Sequence, residues 1–241
     1  MLKGHPPRPL QVIGVHPASQ DVPRQALRIL LDGGLVAFPT DTYYALGAAA
    51  LDGEAVARVF ATKRRPHTEP LPVFVADTGQ WRMLVPDLPE IALRLAERFW
   101  PGPLTIVCRR APHLPPLLAG GGETIAVRQP GSVIAVALCR ALGMPITGTS
   151  ANTHGVPAPV TAIEVGMDLG GSVDLILDGG ACPGGHPSTV VDVTRTPPVI
   201  VRAGGVTLEE LREVIGPLAA PAAPAPSADG KAAAQDVPRA G

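Results

Sequence analysis

Apolar residues in this chain fall into short runs, broken at close intervals by glycine, proline and polar turns, and the runs alternate between helix and strand periodicity. A helix is predicted over about 23–31, with proline in its first turn and Gly33-Gly34 at its end, where glycine takes up a left-handed cap. A short apolar strand, 35–38, follows. Pro39 cannot donate to a sheet ladder, so Thr40-Asp41-Thr42 is expected to emerge at a strand end, where polar side chains face a ligand. A second helix, about 53–61, has Asp52 as its N-cap and delivers Lys63 and Arg65 just past its C-terminus, where Pro66 helps to stop it. Further strands are predicted at 71–75, 104–108, 124–127, 146–149, 174–177, 189–193 and 199–201, and helices at 89–99, 132–142, 162–169 and 208–215. The last two helices open with Thr161-x-x-Glu164 and Thr207-x-x-Glu210, the spacing of a capping box.

This irregular alternation predicts an α/β fold: a single domain with a twisted mixed β-sheet flanked by helices. Residues 1–18 read as an extended, proline-rich lead-in and 19–216 as the domain. Residues 217–241, dominated by Ala and Pro, read as a disordered tail, because nothing in them repays the entropy of ordering.

Composition adds that the core must be aliphatic, since 46% of the 241 residues are hydrophobic but only 3% aromatic. With 27 glycines and 29 prolines, many loops join short elements, and loops carry function. A net charge of −1 argues against a surface built throughout to hold nucleic acid and leaves room for a local basic groove. Cys108, Cys139 and Cys182 are widely spaced and odd in number, which suits reduced, buried thiols in a cytoplasmic protein. No run approaches the roughly 18 apolar residues of a membrane span.

Several chemistries lack their motifs. There is no G-x-x-x-x-G-K-[ST] phosphate loop, no G-x-G-x-x-G helix start, no G-x-S-x-G elbow and no H-E-x-x-H pair. What remains is Lys63-Arg64-Arg65-Pro66 and, later, Ser150-Ala151-Asn152 between Gly148 and Gly155. Cations beside a loop of small residues can hold a polyphosphate, because charged donors meet its oxygens while the backbone approaches closely. In an extended loop Lys63 and Arg65 point to one side and Arg64 to the other. Solvated cations complementing a helix dipole would look the same.

The wider context resembles the threonylcarbamoyl-AMP synthases, in their short single-domain form. Eight separated motifs stand in that family's order: Pro39-Thr40-Asp41-Thr42 with Tyr44 and Gly47; Lys63-x-Arg65-Pro66 with Pro70-Leu71; Trp100-Pro101-Gly102-Pro103-Leu104-Thr105; Ala126-Val127-Arg128; Thr149-Ser150-Ala151-Asn152; Asp178-Gly179-Gly180; Ser188-Thr189-Val190-Val191; and Val201-Arg202. The resemblance implies a large basic cavity in which ATP, bicarbonate and L-threonine form threonylcarbamoyl-AMP and pyrophosphate, making the chain a nucleotidyltransferase that serves N6-threonylcarbamoyladenosine modification of tRNA. Mg²⁺ would be carried with ATP, and contact with tRNA or a tRNA-modification enzyme would be transient.

Residue by residue, the resemblance implies that Lys63 and Arg65 act in catalysis and grip the triphosphate, with Arg202 as a further cation. His67, Thr124, Ser150, Asn152 and Ala158 would line the nucleotide side, and Arg128 would clamp the threonine carboxylate. Thr40, Ser188 and backbone groups at Pro72 and Gly148 would complete the amino-acid pocket. Taken alone, Thr40 could equally cap a turn, Ser188 could serve a strand start, Arg128 could be a surface cation, and Asp41 and Asp178 could be turn-formers. Trp100 reads as a packed indole in a structural turn.

The chain departs from the family at Ala45, usually glycine; Glu69, commonly asparagine; His154, usually a small hydroxyl residue; Ala158, frequently serine; and Ala203 after Arg202, usually proline. Glu69 places an anion near the expected phosphates unless it faces solvent or pairs with Arg64. Two other functions fit parts of the pattern: a double-stranded RNA-binding or ribosome-maturation module, and a carbamoyl-transfer domain like that of hydrogenase-maturation proteins. Few aromatics for base stacking and the absence of Cys-rich segments weigh against them.

Overall fold

The computed structural model describes residues 10–219. The expected disorder of 217–241 falls almost wholly outside the described residues. In chain order the elements are β1 (Val12–Gly14), α1 (Arg24–Leu31), β2 (Val36–Phe38), β3 (Ala45–Gly47), α2 (Gly53–Lys63), β4 (Val73–Phe74), α3 (Thr78–Leu84), α4 (Glu90–Phe99), β5 (Leu104–Arg109), a 3₁₀ turn (Pro116–Ala119), β6 (Thr124–Arg128) and α5 (Val133–Leu142). They continue as β7 (Ile146–Thr147), β8 (Thr149–Ser150), α6 (Ala162–Leu169), β9 (Leu175–Asp178), β10 (Thr189–Asp192), β11 (Val199–Arg202) and α7 (Leu208–Ile215).

The fold is mixed α/β, as expected, with the strands in two mixed sheets where one was anticipated. One has the order β1-β9-β2-β3-β8 and the other β11-β10-β5-β6-β4-β7. Residues 12–14, inside the lead-in, pair in parallel with β9. Three residues give almost no periodicity, so only the neighbouring strand reveals them. The predicted strand 146–149 is in fact two, β7 and β8, in different sheets, and Gly148 is the crossing point between them. The sheets are stitched there by Thr147, whose hydroxyl donates to the Leu46 carbonyl (3.1 Å) and accepts from the Ala48 amide (2.9 Å).

Strand alternation explains the two cores. Val36, Phe38, Leu175 and Leu177 turn to α1 and α5, packing with Ile29, Leu30, Ala135 and Leu138. Ala37, Leu46 and Ile176, on the opposite face, join the larger cluster with Phe60, Trp81, Ile106 and Val127. Trp100 packs at 4.6 Å from Trp81, and its indole donates to the Leu104 carbonyl, as a structural turn requires. Both predicted capping boxes form, and Asp52 caps α2 through the amides of Glu54 and Ala55. Cys108, Cys139 and Cys182 are buried, and the apolar surroundings push their thiols up to about 12, 12 and 11. No helix among the described residues is long and apolar enough to cross a membrane.

Candidate functional site

Strand ends and loops of both sheets converge on a cleft of about 230 Å³ at the seam marked by Gly148. One wall carries Thr40, Thr42 and Tyr43 from the turn between β2 and β3; another carries Pro72, Phe74 and Arg128 from β4 and the end of β6. Ser188 and Arg202 come from β10 and β11, and Arg65, Ser150 and Ala158 close the remaining side. Nine of the residues expected in the site therefore line one cavity: Thr40, Arg65, Pro72, Arg128, Gly148, Ser150, Ala158, Ser188 and Arg202. Three of them are arginines, and no Asp or Glu lines the cleft.

Each arginine is differently held. Arg128 is buried beside the Phe74 ring; its Nε donates to the Gly102 carbonyl (2.8 Å) and its Nη2 to Asp41 Oδ2 (2.6 Å), leaving Nη1 near the Thr42 hydroxyl (3.4 Å). Asp41 is thus more than a turn-former: it fixes the fork of Arg128. Arg202 donates to the carbonyl and hydroxyl of Ser188 (2.8 and 3.0 Å) and has no carboxylate partner among the described residues. The walls packed around Arg202 lower its hold on the proton, and repulsion from Arg128 and then Arg65 lowers it further. Its side chain is nevertheless exposed to the open cleft, so water still screens that charge. Arg65 donates to the carbonyls of Glu69 and Pro70 and pairs with the Glu69 carboxylate (3.2 Å). Burial lowers its pKa, and Glu69 acts in the opposite sense. Glu69 therefore pairs with Arg65, neither with Arg64 nor with solvent alone.

The hydroxyls are organised by their own turns. Thr40 accepts from the amides of Thr42 and Tyr43 and donates to the Tyr43 carbonyl (2.7 Å), so it caps the turn and lines the cleft at once. The hydroxyls of Ser188 and Thr105 are 2.8 Å apart. Gly148 has to be glycine: a Cβ there would sit 2.4 Å from the Phe74 ring. Its amide is already given to the Pro72 carbonyl (2.7 Å), so that pair closes the wall and the Gly148 amide is not a free donor.

Four expected residues do not line the cleft. Lys63 ends α2 on the same face as Val56, Val59 and Phe60 and is 2% exposed. Its ammonium donates to the carbonyls of Ser150 (2.5 Å) and Asn152 (2.6 Å) and approaches Asn152 Oδ1 (3.3 Å). Burial pushes its pKa down to about 7, with Arg65 adding to the effect and Asp168 opposing it; three acceptors match the three protons of the charged form. The expectation that Lys63 and Arg65 point to one side fails because Lys63 is still helical and Arg64 is left-handed (φ 52°), which turns the chain between them. Asn152, also buried, donates its amide to Thr153 and Val156 carbonyls and shapes the loop. His67 packs edge-on against Phe60, and Thr124 starts β6 at the end opposite Arg128.

Thr42 lines the cleft, as expected of the strand end after Pro39, and Tyr43, Phe74, Thr105 and Pro187 also line it without having been singled out for the site. Thr105 closes the Trp100–Thr105 motif, which could have flagged it; the others carried no signal of their own. No cluster of three His, Cys, Asp or Glu that could hold a metal occurs among the described residues.

Comparison with known proteins matches residues 28–204 to the Sua5/YciO/YrdC family, described as telomere recombination. The threonylcarbamoyl-AMP synthase of Pyrococcus abyssi is 46% identical over 193 residues, covering 80% of this chain and 57% of that one. A putative threonylcarbamoyl-AMP synthase of Mycobacterium tuberculosis is 38% identical, covering 76% of this chain and 84% of that one. The crystal structure of Pyrococcus abyssi Sua5 complexed with L-threonine superposes with a TM-score of 0.81 at 41% identity, covering 88% of this chain and 62% of that one. The chain thus spans little more than half the length of some relatives and most of others.

Proposed function

The chain belongs to the Sua5/YciO/YrdC family, and on that premise we propose that it condenses L-threonine, bicarbonate and ATP to threonylcarbamoyl-AMP and pyrophosphate. The observation that carries this reading is a cleft with three arginines and no lining carboxylate, bordered by the hydroxyls of Thr40, Ser150 and Ser188. Such a cleft suits two anionic substrates, a polyphosphate and an amino-acid carboxylate.

In the proposed reaction the threonine amine adds to CO₂ with loss of a proton to solvent, or to bicarbonate with loss of water, and becomes a carbamate. A carbamate oxygen forms a bond to the α-phosphorus, the bond to the β-phosphate oxygen breaks, and pyrophosphate leaves. No protein nucleophile is needed, so catalysis consists of positioning and of neutralising the charge that spreads over the phosphoryl oxygens. Arg65 and Arg202 hold the phosphates in this reading, Ser150 meets the nucleotide, and Arg128, aimed by Asp41, takes the threonine carboxylate through Nη1. Lys63 acts from behind by fixing the carbonyls of 150 and 152. Mg²⁺ arrives with ATP as part of the substrate, consistent with a wall that offers cations and hydroxyls rather than carboxylates.

The test is pyrophosphate release from MgATP and labelled bicarbonate. Release is expected only when L-threonine is added, with label recovered in threonylcarbamoyl-AMP. Turnover that ignores threonine, or salt-sensitive binding of RNA with no turnover, overturns the reading.

A further inference from the structure

At the mouth of the cleft, the loop after α2 faces the loop after β8. Glu69 lies between them. Its Oε2 is 3.2 Å from Arg65 Nη2, and its Oε1 is 3.7 Å from His154 Nε2 on the opposite loop. That loop is anchored, since the His154 amide donates to the Lys63 carbonyl (2.7 Å). Arg65 lines the cleft with Arg128 and Arg202, whereas Glu69 does not line it. Of the three guanidinium groups Arg128 has Asp41 as its own carboxylate, while Arg65 and Arg202 repel each other, and a carboxylate drawn against Arg65 relieves that repulsion.

We propose that Glu69 sets the affinity of the site as an internal counter-anion of Arg65, which an incoming phosphate must displace toward His154. The inference rests on the proposed polyphosphate side of the cleft. Phosphate and carboxylate oxygens compete for the same donors, so the Arg65 Nη2 paired with Glu69 is not free for a nucleotide until that pair opens. Both partners are partly exposed, with side-chain exposures of 19% and 39%, so the competition is modest. Glu69 lengthens the list of groups that choose the ligand: one with enough charge to replace a carboxylate enters, and a weaker anion does not. His154 Nε2, 3.7 Å from Oε1, then stands as the nearest group toward which the released carboxylate can turn.

The test is calorimetric binding of MgATP and, separately, of inorganic tripolyphosphate to the full chain and to Glu69→Gln and His154→Ala. Glu69→Gln keeps the shape and removes the charge, and is expected to bind both probes roughly two- to five-fold more tightly at low salt, the range for a part-exposed ion pair. His154→Ala is expected to bind both more weakly. The melting temperature checks that each variant is folded. Unchanged or weaker binding by Glu69→Gln overturns the proposal, as does failure of either probe to bind any of the three proteins. Tighter tripolyphosphate binding by Glu69→Gln without threonine-dependent turnover in the wild type leaves this inference standing while the proposed reaction fails.

Discussion

At the residue scale, Lys63 and Arg65 have separate tasks despite their shared motif. Removing the Lys63 ammonium leaves the buried carbonyls of Ser150 and Asn152 without their donor, at about 1–3 kcal/mol for each unsatisfied group. Lys63→Ala is therefore expected to lower the melting temperature by several degrees as well as weaken nucleotide binding. Arg65→Ala, whose side chain is 19% exposed and holds only the carbonyls and carboxylate of its own loop, is expected to lose nucleotide binding with a smaller fall in melting temperature. Thermal unfolding and MgATP calorimetry on the two variants separate these roles, and equal thermal losses would contradict them. Lys63 also gives a pH signature. Its folded pKa, about 7, lies below the ordinary 10.5, so between those values the unfolded chain binds more protons than the folded one. The cost of burying the charge is fully present below pH 7 and is lifted as pH rises toward 10.5. Wild type is expected to gain stability relative to Lys63→Met between pH 7 and 9; a difference that stays flat with pH would argue against that shift.

At the scale of elements, helices were more legible than strands. Asp52 before α2 and the Thr-x-x-Glu starts of α6 and α7 mark helices by local chemistry, and all three caps form. The strands β1, β3, β7 and β8 have two or three residues each, too few for a period to emerge. The exit from α2 was legible as a stop but not as a turn, because a left-handed Arg64 leaves no composition signal. That conformation costs a side-chain-bearing residue about 1–2 kcal/mol relative to glycine. Arg64→Gly is expected to raise the melting temperature by a few degrees and leave nucleotide binding intact, since Arg64 does not line the cleft. A fall in melting temperature would mean that the Arg64 side chain contributes more than its backbone costs.

At the scale of the molecule, function depends on a seam. Gly148 carries the chain from one sheet to the other, and its missing Cβ leaves room for the Phe74 ring, beside which Arg128 lies at 5.8 Å. Gly148→Ala is expected to displace Phe74 and with it Arg128, raising the KM for L-threonine by at least about ten-fold, more than that for ATP, since a loss of roughly 1.4 kcal/mol already gives that factor. Steady-state kinetics with each substrate varied checks this, and equal changes in both KM values would locate the damage elsewhere. The sequence by itself determined the α/β class, most helices and their caps and the aliphatic core, because these follow from local periodicity, capping chemistry and residue type, whereas the residues that reach the cleft were named only through the family resemblance of their motifs. Only the tertiary structure decided that the strands form two sheets, that Asp41 holds Arg128, that Lys63 is buried behind the loop it anchors, and that Glu69 pairs with Arg65. Each of those depends on which distant segments pack together, and packing sets distance, burial and charge pairing that no local pattern encodes.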